Sequence, residues 1–452
     1  MTERETWATR LGFILAAVGS AVGLGNIWRF PFQTADNGGA AFLVVYLASM
    51  LIIGIPAILA EFVIGRRANT DAIGAFRSLG KSNWRFVGAI GILASFWTLS
   101  YYSVIGGWVA RYVAGSVTGS ALAAPEGYFG AISVGLPSVV THAVFMTTVI
   151  VIVAAGIERG IELATKFMVP SVIVLLIGLA VYAVTLPGSG QGYGFFLTPD
   201  FGVVATNFTS ILPLAFGQAL FSLSLGFSVM ITYASYLGRD DSLFADGLLI
   251  AVTNTFVGML AGLVVLPLLF AAGVQPGEGG VGAVFISIPT ALASLPGGGL
   301  VGRAVGVVFF AVVLVAALSS AISLLEAAVA YAVDTFGLGR VPAAVGLGVG
   351  AFALGIPSAI DTAWLEWFDG IGVTLLLPLG VLSVVLFVGW AMGSAATKEL
   401  RDGMGLGGVS PIWLWTLRTV VLLVVLVVVA LNFQDLFLTP NAGDYYIVPP
   451  LG

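Results

Sequence analysis

The sequence predicts an all-α membrane protein of eleven transmembrane helices, with the first and the sixth interrupted partway across. Three observations predict it. The composition is too apolar for water, apolar runs of spanning length recur from end to end, and two small, polar breaks lie five spans apart.

Of 452 residues, 59% are hydrophobic and 9% are charged, against about 25% charged in a soluble domain. The formal charge of -5 is carried by few groups and says little about partners; a lipid bilayer is expected around the chain and no nucleic acid. Cysteine is absent, which excludes disulfides and thiolate metal sites. The single histidine, His142, lies in an apolar run and reads as packed. Zinc and haem enzymology are therefore not expected, and no catalytic residues are assigned. The first apolar run lacks a small-residue cleavage site, so no cleavable signal peptide is expected.

The apolar runs fall near 10–33, 40–65, 85–115, 137–155, 165–186, 208–237, 244–273, 302–333, 341–358, 367–392 and 411–431. Each approaches or exceeds the ~20 residues that cross a bilayer. The connections around 187–207 and 274–300 are expected to fold over one face. With the N-terminus inside, fourteen of the 17 Lys and Arg residues face the cytoplasm, leaving Arg29, Arg111 and Arg303 outside. That asymmetry fixes the orientation, and eleven spans put the tail from about Asn432 outside.

Span one contains Gly19-Ser20-Ala21-Val22-Gly23-Leu24-Gly25-Asn26, and span six contains Ser222-Leu223-Ser224-Leu225-Gly226-Phe227-Ser228. Five is odd, so two halves so related have opposite orientations, and matching breaks point to a midplane transport site. Unwound backbone at membrane depth is tolerated where it lines a cavity. Its carbonyls can hold a cation, and N–H groups at the new helix start can hold a carboxylate. A zwitterion beside a small cation suits such a site.

The stretch Thr9-Arg10-Leu11-Gly12 through Gly25-Asn26-Ile27-Trp28-Arg29-Phe30-Pro31 resembles the first-helix signature of the neurotransmitter:sodium symporters, the LeuT-fold family. The resemblance continues through Gln33, Asn37-Gly38-Gly39, Pro56, Glu61, Tyr101-Tyr102, Gln218 to Ser224, Tyr233 to Tyr236, Asn254, Leu318-Ser319-Ser320 and Asp369, covering about 4 to 392. It implies the LeuT fold with a 5+5 inverted repeat: 1–205 as one half, 206–395 as the other, and 396–452 as a peripheral helix and tail. It further implies sodium-coupled symport of a neutral amino acid, hydrophobic or aromatic, across the cytoplasmic membrane of a prokaryote, by a monomer or weak dimer.

Carried over residue by residue, the resemblance implies two sodium sites. The first takes Ala21, Asn26, Ser222 and Asn254 with the substrate's own carboxylate. The second takes the carbonyls of Gly19, Val22 and Ala316 and the hydroxyls of Ser319 and Ser320. All are neutral oxygens, whereas calcium sites usually recruit carboxylates. The substrate carboxylate is expected at Leu24, Gly25 and Tyr102, and its ammonium at Ala21, Phe221, Ser222 and Ser224. Its side chain is expected among Thr98, Phe221, Phe227, Ser320 and Leu324, with Ser20 nearby.

Arg29 and Asp369 are the implied outer gate, with water expected between them, and Arg4 and Asp334 the inner one. Glu61 is expected to hold unwound backbone, and the role of Glu326 stays open. Tyr46, Gln218, Ser222 and Asn254 resemble a chloride site, with Gly258 where other members carry glutamate or serine. Gly160 and Pro170 resemble the family's Gly-x9-Pro element, which unwinds span five; a static kink explains the pair equally well. Gly23, where monoamine carriers have aspartate, is expected to leave room for a substrate carboxylate. Ser20 and Thr98 depart from LeuT, so its substrate range is not carried over. Two rivals remain: a sensor or channel that keeps the site, and a proton-coupled relative with a cation in place of the second sodium, for which Lys166 is the nearest candidate.

Overall fold

The computed structural model describes residues 5–238, 241–274, 283–402, 409–438, 440–441, 444–445 and 447–450. Among them, ten helices are long and apolar enough to cross a membrane, and a bent pair supplies one more. Span one is that pair, Arg10–Ala21 and Gly25–Asp36, bent by 46°. Spans two to five are Ala40–Ala68, Ser82–Thr118, Leu136–Ala154 and Ile157–Val184. Span six is Phe201–Ser222, followed after a break by Val229–Ala234. Spans seven to eleven are Leu243–Ala271, Gly299–Phe336, Arg340–Ile360, Thr362–Met392 and Val409–Phe437.

Several edges differ from those expected. Span five begins at Ile157 rather than near 165, because a π-wound turn over Ile157–Glu162 precedes its regular helix. Span eleven runs on to Phe437, past the expected start of the tail. The two long connections are not wholly irregular: they hold the short helices Ser189–Leu197 and Ala283–Ala293.

Both expected breaks are present. In span one, Val22 leaves helical geometry at φ -83° and ψ 86°. In span six, Ser224, Gly226 and Ser228 take left-handed φ values of 53°, 79° and 58°. Such residues interrupt a right-handed helix, and for serine they carry a steric cost. A Cβ on Gly226 would also lie 2.7 Å from the Leu377 carbonyl oxygen, so only glycine fits there. Glu61 Oε1 accepts the Gly226 N–H at 2.8 Å, and Ser95 Oγ donates to the Phe227 carbonyl at 2.6 Å. Freed backbone groups thus find partners on spans two and three, as a low-dielectric setting demands.

Spans three and eight lie along each other, and span five packs on both span eight and the first half of span one. Span nine covers spans four and three, while span eleven rests on spans ten and six at the periphery.

Candidate functional site

A small cavity lies where the two breaks meet. Ser20, Ala21, Gly25, Thr98, Tyr102, Phe221, Ser224, Phe227, Ser320 and Leu324 line it, together with Gly23. Leu24 and Ser222, expected to serve through backbone groups, lie outside that lining. Leu24 contributes backbone only, its N–H donating to the Tyr102 hydroxyl at 3.0 Å. The Ser222 hydroxyl turns away from the cavity, within 3.2 Å of Asn26 Oδ1 and 2.7 Å of the Asn254 amide. Ser224 Oγ is already shared with the Ser20 hydroxyl and carbonyl, each at 3.0 Å. No charged side chain lines the cavity.

Gly23 lies on the cavity wall, close to two hydroxyls. A Cβ there would lie 2.2 Å from Ser320 Oγ and 2.8 Å from the Tyr102 hydroxyl. A side chain at position 23 would thus meet hydroxyls from spans eight and three.

On one side of the cavity, Ala21, Asn26, Ser222 and Asn254 come together. One terminal atom of the Asn254 amide lies 3.1 Å from the Ala21 carbonyl oxygen, 3.0 Å from that of Ser222 and 2.8 Å from Asn26 Nδ2. With nitrogen in that place the amide donates to the two carbonyls; with oxygen there, it accepts from Asn26 Nδ2 and joins the two carbonyls in a cluster of neutral oxygens. The residues present therefore fit a small monovalent ion. On the other side, Ser319 Oγ lies 2.9 Å from the Ala316 carbonyl and 3.5 Å from that of Val22. Ser320 Oγ lies 3.4 Å from the Gly19 carbonyl and 2.8 Å from that of Ser20. All five candidates for the second site thus gather between spans one and eight. Among the described residues, no group of three or more His, Asp or Glu side chains could hold a metal ion.

The candidate chloride residues are adjoining but mutually engaged. The Tyr46 and Ser222 hydroxyls are 3.4 Å apart, and Gln218 gives its amide N–H to the Gly25 carbonyl at 2.7 Å. A Cβ on Gly258 would meet only ordinary contacts, 3.6 Å from Asn26 Nδ2 and 3.8 Å from the Phe30 ring.

Arg29 and Asp369 meet directly, not through the expected water: Arg29 Nη1 reaches the two carboxylate oxygens at 3.0 and 2.9 Å. The guanidinium lies 5.5 Å from the centroid of Phe221, a ring that lines the cavity. Tyr101 donates to Asp369 at 3.0 Å. The sequence reading does not include this contact, although the pairing of Tyr101 with Tyr102 in the middle of a span was the available signal.

The face bearing the N-terminus is closed as well. The Trp7 indole donates to the Tyr233 carbonyl at 3.0 Å and packs edge-on to Tyr233 and Tyr236. Buried Glu326 accepts the Tyr236 hydroxyl at 2.9 Å and pairs with Arg340, which also holds Glu5 at 3.0 Å. Asp334 accepts the Asp71 N–H at 2.9 Å. Its expected partner, Arg4, lies outside the described residues.

The sequence model of the sodium:neurotransmitter symporter family matches residues 4–124 and 132–452. The chain is 35% identical to a sodium-dependent transporter of Bacillus subtilis, over 93% of this chain and 96% of that one. It is 34% identical to another from Methanocaldococcus jannaschii, over 98% and 93%. A bovine sodium-dependent neutral amino acid transporter, B(0)AT2, is 31% identical over 59% of this chain and 41% of its own. Among solved structures, MhsT in complex with L-phenylalanine superposes with a TM-score of 0.87 at 40% identity, over 95% of this chain and all of that one.

Proposed function

The chain belongs to the sodium:neurotransmitter symporter family and is a multi-pass, sodium-dependent membrane transporter; on that footing we propose that it carries a neutral, hydrophobic or aromatic amino acid into the cell by sodium-coupled alternating access. The observation that carries this reading is the uncharged cavity held between two broken helices and two clusters of neutral oxygens. MhsT, crystallised with L-phenylalanine, supports the substrate class.

In this reading the substrate carboxylate binds the Tyr102 hydroxyl and the N–H groups at Leu24 and Gly25, where a helix restarts. It also completes the first sodium shell with Ala21, Asn26, Ser222 and Asn254, so substrate and ion bind as a unit. The ammonium takes carbonyls of Ala21, Phe221 and Ser222, and Ser224 gives up its contact with Ser20 to join them. Phe221, Phe227, Leu324 and Thr98 enclose the side chain. Sodium at the second cluster ties the Gly19 and Val22 carbonyls of span one to Ala316, Ser319 and Ser320 of span eight. Its loss to a low-sodium cytoplasm loosens that tie and lets the first half of span one swing. A ligand can drive such a change only by binding one state better than the other. The two halves, 1–205 and 206–395, then rock about the site, with the N-terminus inside the cytoplasmic membrane.

A proton-coupled alternative would place a fixed cation at the second cluster. Lys166 Nζ instead lies 2.8 Å from Glu162, and the span-five side chains nearest Gly19 are Val169 and Thr165. The test is uptake in proteoliposomes under an imposed sodium gradient, with all twenty amino acids as competitors. The reading expects competition confined to neutral, mostly large side chains. Gradient-independent uptake, or equal competition by charged amino acids, would refute it.

A further inference from the structure

Glu162 is fully buried at the start of span five, and none of the ion, substrate or gate assignments uses it. Its Oε2 accepts the Ala8 N–H at 2.8 Å, and its Oε1 accepts the Thr9 hydroxyl at 2.9 Å. Lys166, one turn on, balances the charge at 2.8 Å. Thr9 is itself the N-cap of span one, accepting the Gly12 N–H at 2.9 Å. The carboxylate presses so closely on that first turn that a Cβ on Gly12 would lie 2.1 Å from Glu162 Cδ. An acid here answers both the unpaired N–H groups and the positive end of a helix dipole.

The position of Glu162 in its own helix gives these contacts a further consequence. It is the last residue of the π-wound turn Ile157–Glu162, whose first N–H is held by Glu5 at 3.0 Å. π-wound turns are uncommon and less regular than α-helix. This one contains Gly160 and lies two turns before Pro170, which offers no N–H. If the turn unwinds, the Glu162 carboxylate moves with it, and Ala8 and Thr9 lose their acceptor. The same face of span five reaches the second oxygen cluster, since Thr165 and Val169 adjoin Gly19.

We propose that Glu162 is a positioning residue that clasps the start of span one, so that the face bearing the N-terminus stays shut only while the first turn of span five is wound. The clasp rests on the alternating-access reading and adds to it the side chain through which span five acts on span one.

The full chain has no cysteine, so Ser323→Cys makes a single reporter. Ser323 is buried and accepts the Tyr233 hydroxyl at 2.9 Å, one turn from Ser319. Its labelling by an impermeant thiol reagent is measured in purified protein, in sodium and in potassium, with monodispersity checked for each variant. Labelling should be slow in sodium and faster in potassium. Glu162→Gln should raise the rate in sodium roughly fivefold, the shift that losing one helix cap produces. Thr9→Val should raise it too, Thr9→Ser should not, and the double variant Glu162→Gln with Thr9→Val should be no faster than Glu162→Gln alone. Should Glu162→Gln fail to fold, the Thr9 pair carries the test. A sodium-responsive reporter unmoved by Glu162→Gln and Thr9→Val, or fully additive effects, would overturn the clasp while leaving the transport reading intact. A reporter indifferent to sodium in every variant would overturn both.

Discussion

Removing the Asp369 carboxylate should damage transport far more than binding. In the closed arrangement that carboxylate takes both contacts from Arg29 and a third from Tyr101. The pair is partly sheltered, with side-chain exposures of 15% for Arg29 and 25% for Asp369. Exposed ion pairs contribute up to about 1 kcal/mol, and breaking a fully buried one costs about 3–5 kcal/mol. A pair between these limits should lose about 2 kcal/mol from the closed state in Asp369→Ala. The open state, with both groups in water, loses almost nothing. The closing equilibrium therefore shifts by roughly thirtyfold, since 1.4 kcal/mol is a factor of ten. Uptake in proteoliposomes should fall by about that factor, while equilibrium binding measured by scintillation proximity falls much less. Asp369→Asn, which keeps an acceptor for Tyr101, should lie between. Equal losses of binding and uptake in Asp369→Ala would refute the gate.

Asn26→Ala and Ser319→Ala should each raise the sodium concentration needed for half-maximal binding, because each removes one candidate ligand oxygen; an unchanged sodium curve in both monodisperse variants would end the ion assignment. Gly23→Asp should abolish amino acid uptake through like-charge crowding and because even its Cβ meets Ser320 Oγ at 2.2 Å. The wild type should bind amino acids and not their decarboxylated amines, and equal uptake of the two would count against carboxylate recognition at Leu24 and Tyr102. We further expect uptake to drop when gluconate replaces chloride, and Gly258→Glu to make binding chloride-independent, since a Cβ at Gly258 meets only ordinary contacts; full activity in chloride-free buffer would remove the anion from the mechanism.

The breaks were legible because glycine and serine clusters are rare inside apolar spans, and each places unpaired backbone where something must use it. Asn26, Asn254 and Ser319 came through the family resemblance, which polar groups at membrane depth fit. The direct Arg29–Asp369 contact was not legible. It joins residues 340 positions apart, and its length depends on how far two helices have closed. Crowding at Gly23 escaped for a similar reason, because the hydroxyls that cause it belong to Tyr102 and Ser320 on other spans. The π-wound start of span five leaves little trace in sequence, since Gly160 and Pro170 are equally compatible with a plain kink. Glu162 was hidden by its setting, because an acid four residues before a lysine usually marks a solvated helix face.

The left-handed run Ser224, Gly226 and Ser228 bears on how the joint in span six is held. Each such serine stores strain on the order of 1 kcal/mol, and neighbouring side chains meet the backbone groups that the break exposes. The joint is thus held by hydrogen bonds from spans two and three in the folded protein. A corner in span six that had to melt and re-form would bare its backbone groups to hydrocarbon each time. With the corner already formed, the two half-helices of span six need not rewind, whatever the first turn of span five does. Substitutions at the corner should accordingly appear first as poor insertion and low yield, and those at the outer gate as slow cycling in well-folded protein.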